Sequence, residues 1–359
     1  MLASNRSIEG LLGVIVPYII GVFFLISIAT LYSAADGSWT PWALGQMIRY
    51  IIGVGVMWVT MRLPRPFFYE WAYLFYFFCL GLLIVVELVG FVGMGAKRWI
   101  KIAFFNFQPS ELMRIAMVLA LARYLGDFKH QIAKMRTLWI PLIMIFIPTI
   151  FVIKQPDLGT ALLILGSAFF MALVSGVQLW KFGALFASIA ALSPIFWRHL
   201  HDYQKNRILV FLFPEMDIRS AGYHVMQSKI AIGSGGILGK GYLNSTQARL
   251  RFLPEKQTDF IFSMILEEWG FFGALLIIIL YLWVVLWGLT RAQYLKNRFE
   301  MFSVCGLTSS LFIYSFINMG MCMGVVPVVG IPLPFISYGG TSLISLFLSL
   351  GIIYRFAPP

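Results

Sequence analysis

Long apolar stretches separated by short polar ones run through the whole chain. A helix needs about 20 mostly apolar residues to cross a bilayer. By that measure, candidate spans fall at Leu11–Tyr32, Leu44–Met61, Trp71–Val92, Pro109–Tyr124 and Leu138–Ile153. Five more follow at Leu158–Val177, Phe182–Trp197, Thr258–Leu289, Phe302–Met323 and Ser337–Phe356. The fourth is short; the eighth is long, which predicts tilt or extension beyond the lipid. The first run exceeds the ~7–15 apolar residues of a signal-peptide core, so it reads as an uncleaved helix. The expected fold is an all-α polytopic membrane protein of about ten transmembrane helices, one domain over 1–359. A large extracytoplasmic loop, 198–257, lies between helices seven and eight. An even number of spans puts both termini on one side.

Composition supports lipid as the solvent. The chain is 60% hydrophobic and 12% charged, with a mean hydropathy of +0.85. A soluble domain that apolar would expose aggregating patches. The three cysteines, Cys79, Cys305 and Cys322, show neither metal spacing nor a disulfide framework.

Basic residues in short loops orient the spans. Arg62, Arg65, Arg123, Lys129, Lys134, Arg136, Lys181, Arg291, Lys296 and Arg298, with Arg6 and Arg355, all fall on one face. That face is read as cytoplasmic. The opposite face is then also basic: Lys97, Arg98 and Lys101 follow span three, and the long loop carries Arg198, Lys205, Arg207, Arg219, Lys229, Lys240, Arg249, Arg251 and Lys256. Long loops escape the positive-inside rule. Two basic outer segments favour an anionic ligand such as phosphate or pyrophosphate over a merely solvated surface.

Several motifs sharpen this. In "NFQPSELMRI", Pro109 and Glu111 suit the first turn of a helix, while Arg114 shares a face with Glu111 at i, i+3. Ionisable groups at membrane depth are costly and usually functional. In "KQPDLGTA", Asp157 suits a helix cap, with Lys154 and Gln155 at the same level. "SKIAIGSGGILGKG" fails the phosphate-loop register, because Ser234 and Gly241 stand where Gly and Ser or Thr are required. Backbone approach to an anion and a re-entrant hairpin remain as readings of it. "HLHD" at His199–Asp202 lacks a supporting metal-ligand set. "PVVGIPLPFISYGGTS" breaks the backbone before the last span, and such backbone is tolerated only inside protein or along a wet cavity. A cavity wall is the expectation here. Asp259 opens the eighth span, where with Thr258 it could cap a helix; at about 1.5 Å per residue, Glu267 and Glu268 should lie roughly 12 Å deeper.

Together "GAKRWI", "FQPSEL", "KQPDLGTA", "YQKNRI", "GYHVMQSKIAIGSGGILGKG", "RFLPEKQTDFIF" and "PVVGIPLPFISYGGTS" resemble the SEDS proteins (shape, elongation, division and sporulation), nearer to the elongation branch than to the division branch. The resemblance spans nearly the whole chain. It implies a ten-helix glycosyltransferase of the bacterial cytoplasmic (inner) membrane that polymerises lipid II into peptidoglycan strands for elongation and rod shape. It also implies a class B penicillin-binding protein as partner, other elongation-complex membrane proteins, and no nucleic acid. The family's essential acid falls on Asp259, its conserved acid on Glu111 and its outer-loop tryptophan on Trp99. Three positions depart: Arg114 stands for a usual lysine, Ser245 opens a usual Gly-Thr-Gln triplet, and Ile218 replaces a common proline.

Joining two sugars with inversion requires a base for the acceptor hydroxyl and stabilisation of a leaving pyrophosphate. Asp259 is the expected base. Arg114, Lys154, Arg207, Lys229 and Arg249 are the expected pyrophosphate contacts, with Lys97 and Arg98 capturing substrate and Glu111, Asp157, Trp99 and Gln247 completing the site. A divalent cation, Mg or Mn, could bridge the pyrophosphate, but no ligand set for one is readable. The rival readings are a flippase for a lipid-linked oligosaccharide, since intramembrane acids also serve transporters, and a non-catalytic scaffold.

Overall fold

The computed structural model describes residues 2–93, 96–102, 105–128, 135–199, 205, 209–211, 213, 221–253 and 255–356. The chain begins with α1 (Leu2–Ala34), α2 (Ala43–Arg62), the short α3 (Arg65–Glu70) and α4 (Ala72–Val89). Three strands follow: β1 (Phe91–Gly93), β2 (Ala96–Ile102) and β3 (Phe105–Phe107). Then come α5 (Pro109–Asp127), α6 (Met135–Lys154), α7 (Leu158–Val174), α8 (Leu179–His199), α9 (Ala221–Gly235) and the one-turn α10 (Thr246–Arg249). The chain ends with α11 (Ile261–Tyr294), α12 (Arg298–Met323) and α13 (Thr341–Phe356). Each expected span overlaps a helix.

Six described helices are long and apolar enough to cross a membrane: Gly13–Ala34, Ala43–Arg62, Ala72–Val89, Thr137–Lys154, Ile261–Tyr294 and Arg298–Met323. Leu158–Val174, Leu179–Pro194 and Thr341–Phe356 are apolar but shorter. These helices define a multi-pass membrane protein. α5 is less apolar for a physical reason. It is buried continuously from Met113 to Ala122, packed among α4, α6, α7, α12 and α13, so it needs no lipid-facing surface. α12 is the other enclosed helix. By contrast, α8 is exposed at every residue from 183 to 194 and leans on α7 through Phe182 and Phe186 against Phe169.

Three expectations are refined. First, the fold is not purely α-helical: β1, β2 and β3 form a small antiparallel sheet with Trp99 opposite Phe91 and Ile100 opposite Phe107. The Trp and Ile of "KRWIKI" and the Phe residues of β1 and β3 suit strand pairing.

Second, α11 is not one straight helix. Gly270 has φ 65° and ψ −160°, a conformation essentially reserved for glycine. The broken turn is covered by the hairpin that follows α9: Lys240 N–H donates to Glu267 O (2.9 Å), Gly241 N–H to Glu268 O (3.0 Å) and Phe271 N–H to Gly236 O (3.0 Å). Backbone meets backbone so closely that a Cβ on Gly239 would strike the Glu268 carbonyl. The "SKIAIGSGGILGKG" segment is thus the end of α9 and a docked turn. Glu268 accepts from Ser33, at the end of α1, while the Asp259 carbonyl accepts from Asn318 near the end of α12. Both acids therefore sit toward the same end of the bundle, on the stretch that precedes the break at Gly270.

Third, the irregular segment before α13 is largely buried, and the cavity it lines with Tyr314 and Leu346 is small. Leu333, Phe335 and Ile336 are nearly inaccessible. Its carbonyls are taken by side chains from three helices: Tyr281 to Pro334, Tyr50 to Phe335, Ser27 to Ile336 and Gln46 to Ser337. This is the internal satisfaction that non-helical backbone needs when lipid surrounds the protein.

Candidate active site

The first helical residue of α11 is Ile261, and the cap position is Phe260, which makes no side-chain capping bond. Asp259 precedes that position. Its backbone is fixed. Asn318 Nδ2 donates to Asp259 O (2.9 Å) and to Ile331 O (2.6 Å), and Cys322 Sγ reaches Asp259 O at 3.5 Å. Ser337 Oγ donates to Thr258 O (2.5 Å) and Tyr338 N–H to Gln257 O (2.9 Å). The half-buried carboxylate lies beside Gly330, where φ is +72° and an added Cβ would come within 3.3 Å of Oδ2.

Asn318 belongs to a stripe along α12. Ser310, Tyr314, Asn318 and Cys322 recur every four residues, which puts them on one helix face. Ser310 Oγ accepts from Arg114 (2.6 Å) and Tyr314 Oη donates to Glu111 (2.9 Å). Glu111 also accepts from Ser345 (3.0 Å) and pairs with Arg114 at 3.4 Å. Arg114 is 0% exposed and Glu111 3%. Because α5 is packed among other helices, both expected substrate contacts are thus buried and paired with each other, with Arg114 Nε left without a hydrogen-bond partner. Asp157 is also buried, capping α7 at Thr160 N–H (3.1 Å) and accepting from Ser110 (3.1 Å) and Gln108 (2.8 Å). It ties α7 to the start of α5.

The exposed cations behave differently. Lys154, Lys229 and Arg249 face outward, while Arg98 and Trp99 are half-buried on β2. β2 packs on α4 and α5. Lys229 lies across Gly324 at the end of α12, next to the Ser228 hydroxyl that donates to Cys322 O (2.6 Å). The side chain of Lys97, all of Arg207 and most of "HLHD" lie outside the described residues.

A second polar centre was not foreseen. Glu267, 0% exposed, accepts from Lys240 Nζ (2.7 Å), Ser245 Oγ (2.5 Å), Thr246 N–H (2.9 Å), Thr246 Oγ1 (2.8 Å) and Gln247 N–H (3.2 Å). At the other end of α10, buried Lys256 donates to Ala248 O (2.9 Å). Burial, countered by Asp36 and reinforced by Arg251, lowers the Lys256 pKa from the usual lysine value. Burial, then Glu268 and Tyr32, raises the Tyr242 pKa. The four-residue spacing of polar groups in α12 was readable in the sequence and marks Tyr314 and Asn318. No local signal marks Glu267 as the anchor of α10.

Among the described residues, no group of three or more His, Cys, Asp and Glu side chains could hold a metal ion. What the geometry provides is a fixed, half-buried carboxylate at one end of a membrane bundle, with exposed cations on neighbouring segments. Such a face suits an anionic ligand at the end of a membrane bundle.

Comparison with known proteins narrows this reading. A family model described as a cell cycle protein, covering FtsW, RodA and SpoVE, matches residues 10–358. The peptidoglycan glycosyltransferase MrdB of Escherichia coli K12 is 41% identical over 336 residues, 92% of this chain and 90% of that protein. A chain from a structure of a peptidoglycan synthase complex that coordinates polymerization and crosslinking is 27% identical, with a TM-score of 0.83 over 95% of this chain and 96% of that one. The rod shape determining protein RodA of Thermus thermophilus is 25% identical, with a TM-score of 0.71 over 95% and 94%. The chain belongs to the FtsW/RodA/SpoVE family, the SEDS proteins.

Proposed function

We propose that this protein is a peptidoglycan glycosyltransferase that polymerises lipid II into glycan strands during cell elongation, with Asp259 as general base. The observation that carries the assignment of Asp259 is its half-buried carboxylate on a backbone held by Asn318, at the end of the bundle where exposed Lys229 stands. Asp259 takes the proton from the acceptor GlcNAc 4-hydroxyl as that oxygen attacks the donor's anomeric carbon with inversion. The bond to the undecaprenyl pyrophosphate breaks, and its charge is met by Lys154, Lys229 and Arg249, with Arg98, Lys97 and Arg207 contributing from their segments. Preorganised positive charge of this kind lowers the barrier because it is in place before the leaving group develops its own. Glu111, Arg114 and Asp157 support this arrangement from within, through α12. No step is assigned to a metal ion.

In this reading the chain is one domain, 1–359, crossing the bacterial cytoplasmic membrane ten times with both termini cytoplasmic. Segment 198–257 then lies outside, where lipid-linked sugars are the available donors. A class B penicillin-binding protein cross-links the product, and other elongation-complex membrane proteins join them. The similarity to a chain of a complex that couples polymerization and crosslinking supports that partnership.

The test supplies lipid II to the purified protein, with and without a class B penicillin-binding protein. The native protein should yield glycan polymer. Asp259→Asn, matched for folding by thermal melting, should lose about 10²–10⁴-fold in rate, the usual loss for a positioned base. Polymer at the native rate from the Asn variant removes Asp259 from the chemistry. Lipid movement without polymer from the native protein favours a flippase.

A further inference from the structure

The α10 turn is gripped at both ends by buried charges that belong to other segments. Glu267, on the short helical stretch of α11 before Gly270, binds the amides of Thr246 and Gln247 and the side chains of Lys240, Ser245 and Thr246. Lys256, three residues before Asp259, binds the carbonyl of Ala248. An acid on the N–H groups at its start and a cation on a carbonyl at its end complement the polarity of the turn. Hydrogen bonds to a charged partner are about twice as strong as neutral ones. A four-residue helix has almost no stability of its own, so its position is set by these contacts.

The turn also carries groups suited to a ligand. Arg249 is exposed at its end. The buried Oε1 of Gln247 has no hydrogen-bond partner, and an unsatisfied buried acceptor is costly. A donor such as a sugar hydroxyl or an acetamido N–H beside the pyrophosphate meets both requirements. Asp259 is held separately, through Asn318 and Cys322, so displacing α10 leaves the base where it is.

We propose that Glu267 is a positioning residue for lipid II: it touches no substrate, and it sets substrate affinity by holding the α10 turn that presents Gln247 and Arg249. Lys256 holds the opposite end of the same turn. The proposal rests on the polymerase reading only for its kinetic readout.

The experiment uses full-length protein in detergent. Hydrogen–deuterium exchange is measured across residues 240–249, and the apparent KM and kcat for lipid II across Glu267→Gln, Gln247→Ala and the double variant. Loss of one charge-assisted hydrogen bond should raise KM about tenfold, with kcat within about twofold of native and faster exchange at Thr246 and Gln247. Because both changes act through one turn, the double variant should be no worse in KM than the worse single. Unchanged exchange in Glu267→Gln overturns the grip; faster exchange with native KM, or KM effects that multiply, overturns the positioning role. A purely structural Glu267 would lower the active fraction and leave KM alone. If Glu267→Gln does not fold, Lys256→Met releases the other end and is held to the same outcomes. A native protein that makes no polymer overturns the polymerase reading, while the exchange comparison still decides whether Glu267 holds the turn.

Discussion

Replacing Glu111 with Leu should unfold much of this protein, and removing its partner as well should bring it back. Glu111 accepts from Tyr314 (2.9 Å), Ser345 (3.0 Å) and Arg114 (3.4 Å) in a site closed to solvent. Leu supplies none of these acceptors. Arg114 keeps Ser310 and Ser345 but loses its counter-charge, and stranding one member of a buried pair costs about 3–5 kcal/mol. Ser345 can still donate to Ser342 O; Tyr314 loses its acceptor, at about 1–3 kcal/mol. Against a total stability of roughly 5–15 kcal/mol, the single variant should yield little folded protein. In Glu111→Leu/Arg114→Met the stranded charge is gone, so at least about 3 kcal/mol should return. The assay is unfolding in detergent, with the yield of monodisperse protein as a second measure. A double variant as unstable as the single, or a single within about 1 kcal/mol of native, refutes the view that these residues form a structural pair.

Three further expectations follow from the same geometry. The lowered pKa of Lys256 means that the unfolded chain binds more protons than the folded one as pH falls from the ordinary lysine value toward the folded one. The stability from this residue is thus fully present above the unfolded pKa and lost as pH falls through the folded pKa. Thermal melting at alkaline pH should show stability rising with pH in that window, and Lys256→Met should remove that component; a slope unaltered by the substitution contradicts it. Gly270→Ala should destabilise by at least about 1–3 kcal/mol from backbone conformation alone, and further because its Cβ would lie 2.5 Å from Ile237 O; native melting of that variant would show that the break is not required. Lys229→Ala and Arg249→Ala should each weaken lipid II use at low salt, with the gap from native narrowing as salt screens these exposed charges. Kinetics unchanged by both substitutions would make them ordinary solvated surface.

What the sequence revealed and what it hid divide along the range of the interactions. Pro109 at a helix start and Asp157 before "LGTA" are local signals, and both mark the first turns where the structure has them. The apolar runs likewise needed no knowledge of neighbours. Gly270 looked like any glycine in an apolar run, since its positive φ is imposed by a hairpin from another part of the chain. Arg114 carried the right charge, but nothing local says that α5 is wrapped by five other helices. Tyr314 and Asn318 were recognisable as polar residues four apart in an oily helix; their partners, Glu111 and the Asp259 carbonyl, become visible only when α5 and α11 are set against α12. Glu267 carries no local sign of its role, because its partners Lys240, Ser245, Thr246 and Gln247 come from a separate segment of the chain.

That broken helix also constrains the order in which the molecule can be made. The hairpin that covers the break, Gly236–Gly241, precedes Gly270 by about thirty residues and leaves the ribosome first, as N-terminal segments do. When the turn around Gly270 arrives, the groups that will pair with it have already been synthesised. The linear sequence is in that sense an assembly schedule, with the receiving surface delivered before the piece it receives.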